Sequence, residues 1–194
     1  MILCFRLHAN SDLTGSVSAS TLQKFAEACY RYTPHIVIRK GDAVFFEVGK
    51  SLHLFHGQSL SFRIKSLASK FYLNGTVYSG KSVPQVWFKA CYNKTDDDID
   101  WIFDCAIESI VALDDPFLIF RDPSGQRKKE LLELVAYLKK LGIKKNKDFL
   151  KISAESLGTR FGKLSQQLQR NLAVACGYLS PTDIWPNFQL TEII

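Results

Sequence analysis

Apolar positions along the chain change period several times, and each change marks an element. Ile2 to Leu7 is a short, mostly apolar run that reads as a first strand, followed by a polar connection from Asn10 to Ser20. Leu22, Phe25, Ala26, Cys29 and Tyr30 then recur at helical spacing, with Ser20 or Thr21 as N-cap, which predicts a helix packed on a sheet. His35 to Arg39 and Val44 to Val48 are rich in β-branched and aromatic residues. Lys40-Gly41-Asp42 separates them, so the pair reads as a β-hairpin. The second run is apolar at Ala43 to Phe46 and again at Val48, the pattern of a central strand covered on both faces, and Glu47 is its one carboxylate.

Further on, Ser51 to Phe55 reads as an extension of that strand end. A helix is expected from Ser59, with Leu60, Ile64, Leu67, Ala68 and Phe71 on one face. Asn74-Gly75 signals a turn, and Thr76 to Ser79 reads as another strand. The acids Asp96, Asp97, Asp98 and Asp100 precede Trp101, Ile102, Cys105 and Ala106, as acids do at a helix N-terminus. Leu131, Leu132, Leu134, Val135, Leu138 and Leu141 form a helical stripe stopped by Gly142. A loop from Ile143 to Lys147 follows, and Asp148 to Ile152 opens the next helix. The expected fold is α/β (α+β): a mixed or antiparallel sheet flanked by helices over residues 1–115, and a small all-helical domain over 116–194.

At 194 residues and 46% hydrophobic content the chain can bury a core. Cys4, Cys29, Cys91, Cys105 and Cys176 are scattered and odd in number, so they read as reduced core residues of a cytoplasmic protein rather than a disulfide framework or zinc site. No signal peptide or membrane span is read, and no cofactor or metal is expected. His53 and His56 stand three apart without a Cys or carboxylate beside them, and Gly80-Lys81-Ser82 lacks the upstream spacing of a P-loop; both read as structural. Charge is more informative. Gln126 to Arg170 holds twelve Lys or Arg against four acids, a net +8 that leaves −2 for the rest of a +6 chain. A basic segment on a slightly acidic body is the footprint of a nucleic-acid-facing module.

The stretch Tyr32 to Gly57, YTP…GDAVFFEVGKSLHLFHG, resembles the palm of Y-family DNA polymerases. In that family a Ser-Ile-Asp-Glu-Ala-Tyr-Leu-Asp-Val-Thr-Gly-Ser hairpin presents metal-binding carboxylates. Asp42 keeps the Asp position of the motif, but the adjacent Glu is Ala43. The family's first-strand Asp-Met-Asp is replaced by Arg6-Leu7-His8. Neutral or positive groups do not hold magnesium. The chain between Leu7 and His35 leaves room for one helix and not for a fingers domain. The pattern is similar to the catalytically inactive ImuB type, which implies that no residue is catalytic and that Asp42 and Glu47 are degenerate remnants.

LKKLGIKKNKDFLKISAESLGTRFG, Leu138 to Gly162, resembles the helix-hairpin-helix thumb of the same family, with Asn146 near the position of a family Thr. Such a hairpin presents backbone N–H groups that bind DNA phosphate without reading bases. The resemblance implies Gly142, Ile143, Lys144, Lys145, Lys147 and Arg160 as DNA-binding residues; an earlier hairpin near Asp122 to Arg127 retains only Gly125. It further implies a role in DNA-damage tolerance by translesion synthesis, as a DNA-binding or adaptor component. The implied partners are the DNA backbone and an error-prone polymerase, a RecA-like accessory protein or the sliding clamp, although Gln189, Leu190 and Ile193 match a clamp-binding peptide poorly. Two other readings stay open: a protein-interaction scaffold that binds no DNA, and a weak metal-dependent nucleotidyltransferase using Asp42 and Glu47.

Overall fold

The computed structural model describes residues 1–8, 19–39, 42–55, 57–114 and 126–180, with backbone alone for 57–59. The polar connection over 10–18, the turn residues Lys40 and Gly41, His56, the segment 115–125 with the first expected hairpin, and the C-terminal stretch from Pro181 lie outside them. The chain divides into two compact units, the first over Met1–Thr95 and the second over Asp96–Thr182. Residues 96–114 therefore belong with the helical unit, whereas the sequence placed the boundary at Pro116.

In the first unit, β1 (Ile2–Leu7), α1 (Ala19–Ala28), β2 (Ile36–Arg39), β3 (Ala43–Glu47), α2 (Gly57–Lys70) and β4 (Gly75–Gly80) follow one another, and α3 (Val83–Cys91) comes last. The four strands form one antiparallel sheet in the order β2-β3-β1-β4. This is the β-α-β-β-α-β connectivity of ferredoxin-like folds. β3 lies between β2 and β1, and Ala43 to Phe46 are fully buried, as a strand covered on both faces requires.

Side chains alternate across the sheet. Leu3 and Phe5 of β1 with Val44 and Phe46 of β3 meet Leu22 and Phe25 of α1 and Leu60 and Ile64 of α2 in one core. Phe25 is the hub of its aromatic part, with ring centres 5.2 Å from Phe5, 6.0 Å from Phe71 and 6.3 Å from Phe46. The other face receives α3, where the Phe45 and Trp87 ring centres are 5.9 Å apart. Ser82 caps α3 by accepting from Gln85 N, and Pro84 stands in its first turn.

Three local expectations need correction. Ser51 to Phe55 does not extend β3: Gly49–Leu54 is a 3-10 helix, turned by Glu47 Oε1 accepting from Gly49 N and by Ser51 N donating to Val48 O. α2 starts at Gly57 rather than Ser59. The acids before Trp101 introduce only a four-residue helix, α4 (Trp101–Asp104); Asp100 makes no side-chain cap, and Asp98 Oδ1 accepts from Asp100 N instead.

The second unit is helical. After α4 comes a 3-10 segment, Ile107–Leu113, then α5 (Gln126–Lys140), α6 (Asn146–Leu150) and α7 (Ala154–Ala175). Leu131, Leu134, Val135 and Leu138 of α5 are buried, while Leu132 and Leu141 of the expected stripe are exposed. α7 is kinked at Gly162, whose φ of 71° only glycine adopts easily. Among the described residues no helix is long and apolar enough to cross a membrane.

Candidate functional site

The end of β1 and the β2–β3 hairpin, where the resemblance implies metal-binding carboxylates, hold cations instead. Arg6 pairs in register with Ala43, and Leu7 N donates to Asp42 O at 2.8 Å. Arg6 and Arg39 both stack on the Trp87 ring of α3, with guanidinium carbons 5.2 and 4.3 Å from its centre. Arg6 Nη1 also donates to Ala90 O at 2.6 Å, and Arg39 Nη1 forms an ion pair with Asp42 Oδ2. His8 is hydrogen-bonded to Thr76 Oγ1 at 2.8 Å. A divalent cation at Asp42 would have to displace one guanidinium and stand beside another, and Coulomb repulsion opposes both.

Asp42 and Glu47 do not combine into a metal site. They stand at opposite ends of β3, about 16 Å apart at some 3.3 Å rise per residue, with Asp42 beside Leu7 and Glu47 beside Ile2. Ligands of one ion lie within about 2–2.6 Å of it. Glu47 Oε1 instead accepts from Gly49 N. Among the described residues no three His, Cys, Asp or Glu side chains gather as a ligand set.

Burial raises the thiols of this unit: Cys4 lies well above the ordinary cysteine range, with Asp42 adding to the effect, and Cys29 is pushed up to about 12. In α3, Gln85 is buried and its Oε1 accepts from Lys81 N, so it faces the local backbone. Lys89 is buried too, with Nζ donating to Ser79 O at 3.1 Å. Sequence reasoning missed both Lys89 and the Arg6–Trp87–Arg39 stack. The signal was Trp87 and Lys89 two positions apart on a largely apolar helix, but strand-to-helix proximity is not written in spacing.

The α5–α6 turn is built by a Schellman motif. Gly142 has φ of 82°, Ile143 N donates to Leu138 O and Gly142 N to Lys139 O, each at 3.0 Å. The amides of Gly142 and Ile143 thus close α5, which corrects their expected role as phosphate donors. Asn146 N donates to Cys105 O at 3.0 Å and Ile107 N to Lys144 O at 2.9 Å, so Lys145 and Ala106 form an antiparallel bridge. Asn146 itself is buried, its Nδ2 donating to Ile102 O at 2.8 Å and Ser109 Oγ at 2.9 Å. That position fixes the turn from beneath.

Lys144, Lys145 and Lys147 project into solvent from this turn. Lys145 and Lys147 both donate to Asp104 Oδ1, at 3.0 and 2.9 Å, and Lys139 Nζ donates to Glu108 Oε1. The two lysines hold the Asp104 carboxyl at about 2, well below the usual range, and Lys139 lowers Glu108 in the same sense. Arg160 stands elsewhere. It lines a groove of about 570 Å³ between α5 and α7 with Glu130, Glu133, Tyr137 and Phe161. Lys139 follows Glu130 by two and a half turns of α5, so it leaves that helix on the opposite side. At the other end of the unit, Arg127 makes a forked pair with Asp114, Nε to Oδ2 at 2.9 Å and Nη2 to Oδ1 at 2.6 Å. The turn lysines and Arg160 are therefore two surfaces. No protein-family model matches the chain, and no curated protein matches it.

Proposed function

We propose that the chain is a catalytically inactive protein of the Y-family polymerase type, similar to ImuB, serving DNA-damage tolerance as a DNA-binding or adaptor component of translesion synthesis in the cytoplasm. The observation that carries this reading is the α5–α6 turn, where three exposed lysines stand on one glycine-closed hairpin that Asn146 anchors. Lysines so placed hold backbone phosphate by charge and carry no base recognition. The guanidinium groups beside Asp42 support the absence of catalysis, because a metal-dependent phosphoryl transfer needs carboxylates there. In this reading the first unit is a palm-like module that meets an error-prone polymerase, a RecA-like accessory protein or a sliding clamp through its edge strands, β2 and β4.

A protein-interaction scaffold that binds no DNA is the second reading, favoured by the acidic partners of Lys139, Lys145 and Lys147. Primer-template DNA and magnesium separate the possibilities. The proposal expects binding of labelled primer-template near 50 mM salt, a condition that favours weak phosphate contacts, and no extension of the primer. Extension that disappears in Asp42→Ala would overturn the inactive reading; absence of binding would leave the scaffold.

A further inference from the structure

The lysines of the turn face a strap of their own chain. Residues 102–109 are fixed against the turn by the Ile107–Lys144 and Asn146–Cys105 backbone bonds and by the Asn146 side chain on Ile102 O. Two carboxylates, Asp104 and Glu108, flank the bridging Ala106, and both reach cations of the α5–α6 hairpin. A single oxygen of Asp104 accepts from two ammonium groups. A phosphate oxygen asks for the same donors in the same place, since both are anionic acceptors of short charge-assisted bonds.

We propose that Asp104 is an intramolecular competitor of phosphate at the Lys145–Lys147 pair, so that residues 102–109 act as an acidic strap that lowers the affinity of the turn for polyanions. The inference rests on the DNA-binding reading above and deepens it. The two pairs are exposed, at 47% for each lysine and 60% for Asp104, and exposed ion pairs are weak and yield to salt. A polymer carrying many phosphates displaces the carboxylate by offering several contacts at once. Lys144 is exposed and has no carboxylate partner among the described residues, so it meets the polymer first.

Asp104→Asn removes the charge and keeps the shape, and the strap stays in place because its backbone bonds and Asn146 hold it. Circular dichroism and a thermal melt check that this variant folds. Fluorescence anisotropy with a labelled DNA duplex between 50 and 200 mM salt then compares it with the wild type. About tenfold tighter binding at low salt is expected, with a gain that shrinks towards 200 mM as salt weakens the wild-type ion pairs. The gain should vanish when Lys145→Ala and Lys147→Ala are added. A wild type that binds and an Asp104→Asn variant that binds equally or more weakly would overturn the competition and leave DNA binding intact. A gain that survives without the two lysines would also overturn it, since bulk charge would then account for the effect. No binding by either protein would overturn both the competition and the reading beneath it.

Discussion

The Arg39 guanidinium lies 4.3 Å from the centre of the Trp87 ring, and Arg6 lies on the same ring at 5.2 Å, so one indole holds two cations at the end of the sheet. Trp87 is also 5% exposed and packed on Phe45. Trp87→Ala should therefore destabilise the first unit by about 3–5 kcal/mol, the range of large-to-small core changes. Trp87→Phe, which keeps a ring, should cost clearly less. Urea unfolding followed by far-ultraviolet circular dichroism measures both, and equal costs would contradict a stabilising role for a ring at this position.

Asn146 serves the second unit as Trp87 serves the first. Its truncation leaves Ile102 O and the Ser109 hydroxyl without a buried partner. Each orphaned group costs about 1–3 kcal/mol, so Asn146→Ala should lower the stability of this unit by about 2–6 kcal/mol and loosen the turn. Hydrogen exchange at Ile107 and Asn146, whose amides pair across the strap and the turn, should accelerate together. Unchanged protection would contradict the anchoring role.

The Asp104 carboxyl offers a test by pH. Its folded value of about 2 lies below the ordinary 3.8, chiefly through hydrogen bonds from Lys147 and Lys145. A depressed carboxyl contributes stability fully above its unfolded value, and the contribution is lost as pH falls through the folded one. The ion pairs should thus persist at pH 4 and dissolve near pH 2. A carbon-13 titration should give a midpoint near 2 that rises towards 3.8 when Lys145 and Lys147 are both alanine. A wild-type midpoint already near 3.8 would show that the contacts do not form in solution.

Much of the first unit was legible because its pattern is local. Two β-rich runs around Lys40-Gly41-Asp42 define β2 and β3, and the run from Ala43 to Phe46 can only be buried on both faces. The stop at Gly142 was equally legible, since a glycine after a helical stripe takes the left-handed conformation that closes α5. Misreadings arose where distant residues decide the outcome. Leu52, His53 and Leu54 look strand-like, but Glu47 captures the Gly49 amide and the chain coils. The acids before Trp101 look like the start of a helix running through Cys105 and Ala106, yet α4 ends at Asp104 because the chain next pairs with Lys145, some forty positions on. The same distance hid the partners of the basic turn. Counting charge shows twelve cations, but only the fold shows that Asp104 and Glu108 answer three of them.

The most direct measurement is the salt dependence of primer-template binding by the wild type and by the double variant Lys144→Glu/Lys145→Glu. Each phosphate contact contributes about 0.9 to the slope of log affinity against log salt on duplex DNA. Binding that weakens steeply with salt, and a slope reduced by about 2 in the double variant, is the predicted result. Equal binding by the two proteins would place the DNA contact away from the α5–α6 turn and contradict the account.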